Sequence, residues 1–491
     1  MAFYELPKKF LKCQNLVNGH WQDSTSDKIK VLSPYNCEQI GEVPKTSAAE
    51  VNEAIKFAQA AADGWKKTPI KERSTYMYKL RDLMLRDLMK MANVAAAESG
   101  KTVQEAKAGI LKGVEVMEYA LSLQNLDVGG TIEVSRGVTC EYRREPLGVV
   151  AGIVPFNFPA MVPCWMFPIA ITLGNAFVLK PSEKVPLTSQ LMGNLFIEAG
   201  FPEGVFTIIN GDKTTVDAII ENESVKAVAF VGSTAVAKAV YQKSTALGKR
   251  ALALGGAKNP NIVVPDADTQ IAVRGVLDSF TGCCGQRCMA ASLMLAVGDV
   301  DDVIKQIVEA AKQIKLGDQM GAIIDTPSLD RIHEYIARAE KSGAEILLDG
   351  RSPQAPKGFE KGTWMGPTII VADPDHELVT TEIFGPVLTI VKVKSLTEAM
   401  EIEKKNPYGN ACSVFTTSGA VARFVTHNAT AGMTGINIGV PVPREPFSFG
   451  GTKDSKFGQG EITGEGSLDF WSDRKKITTK WTAQDDKNWM S

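Results

Sequence analysis

The 491-residue sequence is poor in histidine, with four residues (His20, His333, His376 and His427) set far apart, so it offers little material for a His-based metal site and none is expected. Its eight cysteines include no CxxC pair. Apart from Cys283, Cys284 and Cys288 they are scattered, which argues against a zinc knuckle or a disulfide framework and for free thiols in a reducing compartment. The formal net charge is only -2 and no long basic run occurs, which removes the electrostatic footprint of a nucleic-acid or anionic-membrane binder. No stretch reaches the roughly 18 consecutive apolar residues that would cross a bilayer. The segment Met1 to Asn15 lacks the apolar core of a signal peptide, so a cytoplasmic protein acting on a small molecule is expected. Also missing is a GxGxxG after the first buried strand, so any dinucleotide must be held otherwise than by the usual fingerprint.

What is present is a large, ordinary globular composition, 44% hydrophobic and 22% charged. A single hydrophobic core stops growing at roughly 250 to 300 residues, so two large lobes are expected. From Thr46 to about Gln124, apolar residues recur at helical spacing and predict two or three amphipathic helices. Gly129 to Arg144, rich in Val, Thr and Tyr, predicts a hairpin. From Leu147 the short apolar runs Val149 to Pro155, Ala176 to Leu179, Val205 to Ile209, Ala227 to Val231 and Asn261 to Val264 alternate with helical stretches. That pattern predicts right-handed βαβ units around a buried parallel sheet. A second alternating set follows Asp266, with helices near Ile271 to Phe280, Asp302 to Ile314 and Ser328 to Ser342 and strands near Thr368 to Val371 and Val387 to Val393. The polar strand Lys476 to Trp481 needs a partner, and the hairpin or a neighbouring subunit would supply one.

Nucleotides bind such sheets at the carboxyl ends of the strands, so the residues after each run matter most. Pro155-Phe156-Asn157-Phe158-Pro159 follows the first run and places an amide that could donate to an oxyanion, or that simply serves the turn. Lys180 and Glu183 in KPSE could grip ribose hydroxyls, the carboxylate favouring NAD over NADP; the alternative is a solvated surface pair. Gly232 and Ser233 open a helix whose N-terminus would favour a pyrophosphate, although Ser233 could merely cap it. In Gly285-Gln286-Arg287-Cys288 the glycines and Arg287 give a cysteine room and positive charge, as a thiolate nucleophile needs. By itself such a cysteine is more often a small buried hydrophobe, and Cys284 reads that way.

In this order the PFNFP, KPSE, FVGS, LGG, GQRC and EIFGPV stretches resemble the aldehyde dehydrogenase superfamily over nearly the whole chain. The resemblance implies an α/β fold with a Rossmann-type NAD domain (1-123 and 145-254), an α/β catalytic domain (255-455) and a small β oligomerisation domain (124-144 and 456-491), assembled as dimers or tetramers. It implies Cys288 as nucleophile, an oxyanion hole of Asn157 and the Cys288 N–H, and a dinucleotide held by Pro155, Phe156, Lys180, Glu183, Gly232, Ser233, Glu382 and Phe384. One departure is informative. Hydrolytic members carry a glutamate where Leu252-Ala253-Leu254-Gly255-Gly256 has Ala253, and a methyl group cannot activate water. With GQRCMA and Ala257-Lys258-Asn259, the chain resembles the coenzyme A-acylating methylmalonate-semialdehyde dehydrogenases, so coenzyme A is the expected acyl acceptor. That subfamily holds its substrate carboxylate with two arginines; Arg287 matches one, and Lys112 stands at the other, keeping the charge without the bidentate fork. The alternatives are a hydrolytic enzyme using Glu382 or another carboxylate as base, and a former enzyme kept as a structural protein.

Overall fold

The computed structural model describes residues 11–126 and 129–481, so most of the segment Met1 to Asn15 and the end of the tail, residues 482–491, lie outside the described residues. Four helices, not two or three, fill the first helical stretch: Ala48–Trp65, Ile70–Arg86, Leu88–Ser99 and Val103–Leu126. The additional breaks have local causes. The first helix starts on a capping box between Ser47 and Glu50 and gives way before Pro69, which cannot continue a helix. The third ends at Gly100, whose φ of +78° suits a residue without a Cβ. Thr102 and Glu105 then form a second reciprocal cap on the fourth helix.

The first large sheet has eight strands, five of them parallel in the middle: Arg250–Leu254, Val225–Val231, Val149–Ile153, Ala176–Lys180 and Phe206–Ile208, in that spatial order. In chain order the sheet starts at Val149–Ile153, grows to one side, then returns to grow on the other. The reversal therefore lies between Val149–Ile153 and Val225–Val231, and that switch point is where a doubly wound sheet opens a crevice. Alternate side chains enter two cores, Val150 and Ala229 on one face and Val149, Ala151 and Val228 on the other. Burial on both faces is why these strands read as unbroken apolar runs.

The second sheet has seven strands, centred on Val387–Val393, Leu293–Val297, Pro260–Val263 and Ala411–Phe415. The run at Asn261 thus belongs to this second sheet, while Arg250–Leu254, which the apolar pattern did not single out, closes the parallel part of the first. In the third sheet Ser472–Lys480 pairs antiparallel with Val138–Pro146, the second strand of the hairpin begun by Gly130–Ser135. Short strands between Leu11 and Pro44, unforeseen from sequence, add a small sheet and two antiparallel strands at one edge of the first. No helix among the described residues is long and apolar enough to cross a membrane.

Candidate active site

Two cavities meet at Cys288. One, about 590 Å³, runs along the carboxyl ends of the first sheet and is lined by Pro155, Phe156, Asn157, Lys180, Glu183, Gly232, Ser233, Glu382 and Phe384. The other, about 830 Å³, opens on the opposite side and is lined by Lys112 and Arg287. Among the described residues, Cys288 and Phe158 alone line both. All twelve residues singled out from sequence therefore border these two cavities, although they come from six separate segments of the chain.

The segment carrying Cys288 joins the helix Thr269–Thr281 to the strand Leu293–Val297 and is pinned by side-chain amides. Asn259 and Asn410 both donate to the Cys288 carbonyl, at 2.8 and 2.9 Å. Asn157 donates to the Gln286 carbonyl at 3.0 Å. An amide nitrogen carries two hydrogens, so this bond fixes the Asn157 side chain and leaves a second N–H for another acceptor. Gly285, at φ +65°, lets the segment press on the loop after Glu382: a Cβ there would lie 2.1 Å from the Gly385 carbonyl oxygen. The roles of Asn259 and Asn410 escaped the sequence reading. Asn259 stood out only within a family likeness, and nothing near Asn410 marks it.

Cys288 is half-buried, and burial, then the Glu382 carboxylate, pushes its thiol up to about 12, against the weaker pull of its own backbone N–H, Arg287 and Lys101. Burial likewise pushes the Glu382 carboxyl up to about 7, although the Ala257 N–H donates to it at 2.9 Å. Cys284, by contrast, is packed into an apolar cluster with Ile332 and Ile383.

The first cavity fits a dinucleotide. Lys180, itself buried, meets Glu183 at 3.0 Å, so the pair belongs to the cavity wall rather than to a solvated surface. Burial opposes ionisation of Glu183, but Lys180, a backbone N–H and Lys184 outweigh it and hold the carboxyl below its ordinary value. Ser233 caps the helix Thr234–Ala246 by position, yet its side chain makes no capping hydrogen bond. Its hydroxyl and the unpaired N–H groups of the first turn thus face the switch point, a ready anion site. A Cβ at Gly256 would stand 2.3 Å from a Glu382 oxygen, so a larger residue there would displace that carboxylate. Phe384, at φ +58°, sets its ring edge-on to Phe156, 5.9 Å between centroids.

In the second cavity, Arg287 donates to the Asp278 and Ser279 carbonyls, and Lys112 lies 2.9 Å from Glu115 and 3.4 Å from Glu445. Ala253, where a deacylating glutamate would stand, is fully buried in the core beside Phe230 and Phe457.

Comparison with known proteins gives a consistent picture. The sequence model of the aldehyde dehydrogenase family matches residues 21–477. Methylmalonate-semialdehyde dehydrogenase [acylating], mitochondrial, of Arabidopsis thaliana is 41% identical over 95% of this chain and 78% of its own length. Malonate-semialdehyde dehydrogenase 2 of Geobacillus kaustophilus is 38% identical over 95% of this chain and 98% of its own. The crystal structure of methylmalonate-semialdehyde dehydrogenase from Oceanimonas doudoroffii superposes with a TM-score of 0.95 at 38% identity, covering 96% of this chain and 99% of that one. A Sinorhizobium meliloti 1021 chain complexed with NAD gives a TM-score of 0.95 at 35% identity, covering 97% and 99%.

Proposed function

Because the chain belongs to the aldehyde dehydrogenase family, we propose that it oxidises a short semialdehyde with NAD through a thioester on Cys288 and passes the acyl group to coenzyme A, malonate or methylmalonate semialdehyde yielding acetyl- or propionyl-coenzyme A. The observation that carries this reading is the position of Cys288 where a cavity along the carboxyl ends of the first sheet meets a second one that Arg287 lines. Ionised Cys288 sulfur bonds to the aldehyde carbon, and the carbonyl oxygen, now an oxyanion, accepts from the free Asn157 N–H and the Cys288 N–H. Lys180 and Glu183 would hold the adenosine ribose, Pro155, Phe156, Gly232 and Ser233 the pyrophosphate side, and Glu382 with Phe384 the nicotinamide riboside. When bound, NAD supplies the hydride acceptor. Arg287 would bring positive charge to the substrate carboxylate; Lys112 lines the same cavity, but Glu115 and Glu445 offset its charge. The malonyl or methylmalonyl group loses its carboxylate as carbon dioxide, the coenzyme A sulfur attacks the thioester carbon, and Cys288 leaves as thiolate.

Ala253 supports coenzyme A over water, because a missing general base slows an attack by water by about 10² to 10⁴-fold, whereas a thiolate needs none. With malonate semialdehyde and NAD alone, the enzyme should release about one NADH per subunit and then nearly stop; adding coenzyme A should restore turnover and yield acyl-coenzyme A. Sustained turnover to free acid without coenzyme A would instead favour Glu382, whose carboxyl is held near 7, as the base for water.

The lobe of the first sheet would bind NAD, that of the second would carry the catalytic cysteine, and the third sheet would serve assembly. Its strands leave Ile132, Val134 and Tyr142 exposed, with Trp481 beyond the last strand. Such apolar exposure suits a surface that another copy covers. Light scattering should accordingly give two or four chain masses, and a monomer at micromolar concentration would refute this. All eight cysteines are free thiols, which suits the reducing cytoplasm.

A further inference from the structure

Resting on the semialdehyde reading, we infer that Arg444 determines specificity for a carboxylated aldehyde, supplying with Arg287 the cationic fork that Lys112 cannot. The Lys112 ammonium is shared between two carboxylates, Glu115 at 2.9 Å and Glu445 at 3.4 Å. Two carboxyl groups share one ammonium there, so Lys112 by itself offers an incoming anion little attraction. Arg444 follows a different course. Val440, Val442 and Arg444 all line the second cavity, while Glu445, next in the chain, turns to Lys112. Its backbone is fixed by the Phe447 N–H donating to the Arg444 carbonyl at 3.1 Å. Among the described residues, the Arg444 guanidinium has no ion-pair or hydrogen-bond partner, and it is exposed at the cavity mouth. Arg287, the other guanidinium of this cavity, spends one nitrogen on backbone carbonyls and leaves its Nε buried without a partner. Two guanidinium groups that line the same cavity, neither of them in an ion pair with a carboxylate of the chain among the described residues, suit a carboxylate borne by the aldehyde.

The test compares malonate semialdehyde with propanal, which has the same three carbons and no charge. Wild-type enzyme should favour the semialdehyde in kcat/KM at low ionic strength. Arg444→Met should lose about 5- to 10-fold with the semialdehyde, mostly in KM, and nothing with propanal; the exposed site keeps the effect modest. Arg444→Lys should recover part of the loss, and about 1 M salt should erase the difference between wild type and Arg444→Met. Equal losses on both aldehydes, or an undiminished preference for the semialdehyde in Arg444→Met, would overturn the assignment while leaving the semialdehyde reading intact. A wild-type enzyme that does not distinguish the two aldehydes would overturn both.

Discussion

Replacing Cys288 by alanine should abolish NADH formation with every aldehyde, at any concentration of NAD or coenzyme A. The loss is total because, among the described cysteines, Cys288 alone lines both cavities: Cys283 borders only the second and Cys284 neither, and both are buried. The substitution removes one sulfur from a half-buried side chain whose backbone is held by Asn259 and Asn410, so the cavity around it should survive. Binding of NAD, followed by quenching of protein fluorescence, should therefore stay near wild type. Aldehyde-dependent NADH production above about a thousandth of the wild-type rate would remove Cys288 from the chemistry.

The next largest effect is expected at Asn157. Its alanine variant should lose about 10² to 10³-fold in kcat, the usual consequence of deleting one oxyanion donor, with KM changed far less. A structural contribution is also present, since the same side chain donates to the Gln286 carbonyl and holds the segment two residues ahead of the nucleophile. Asn157→Asp separates the two roles. It keeps the shape but offers acceptors where a donor is needed, so its kcat should fall at least as far as that of Asn157→Ala while NAD binding persists. Turnover of Asn157→Ala within about threefold of wild type would exclude the amide from stabilising the developing charge.

Asn157 was visible in the amino-acid sequence for a physical reason, whereas Cys288 follows a helix and took its role from the family resemblance. Parallel strands buried on two faces read as apolar runs, and the residue after each run is at the sheet edge where ligands bind. Asn157, Lys180 and Ser233 all follow such runs. Arg250–Leu254 was not seen because Ala and Leu dominate it and β-branched residues are absent. The short strands before Pro44 mix polar and apolar residues over two to six positions, too few to show a period. The run at Asn261 was read as a strand but given to the wrong sheet, since apolarity marks a strand without naming its neighbours. Arg444 lay beyond any local pattern. Its place depends on the segment around Glu445 reaching Lys112, 333 residues away in sequence.

The same long reach governs the third sheet. Cys140 and Thr478, 338 residues apart, meet across its central pair of strands, and Arg250 ties the approach of the later strand by donating to the carbonyls of Asp469, Phe470 and Ser472. The strand Val138–Pro146 has its hairpin neighbour close by, but its other flank stays open until the distant segment is drawn in, which closes a long loop. During that interval the open flank pairs equally well with the same segment of another copy. Exchange of that strand between chains, more than collapse of either core, is therefore the folding hazard that this topology carries.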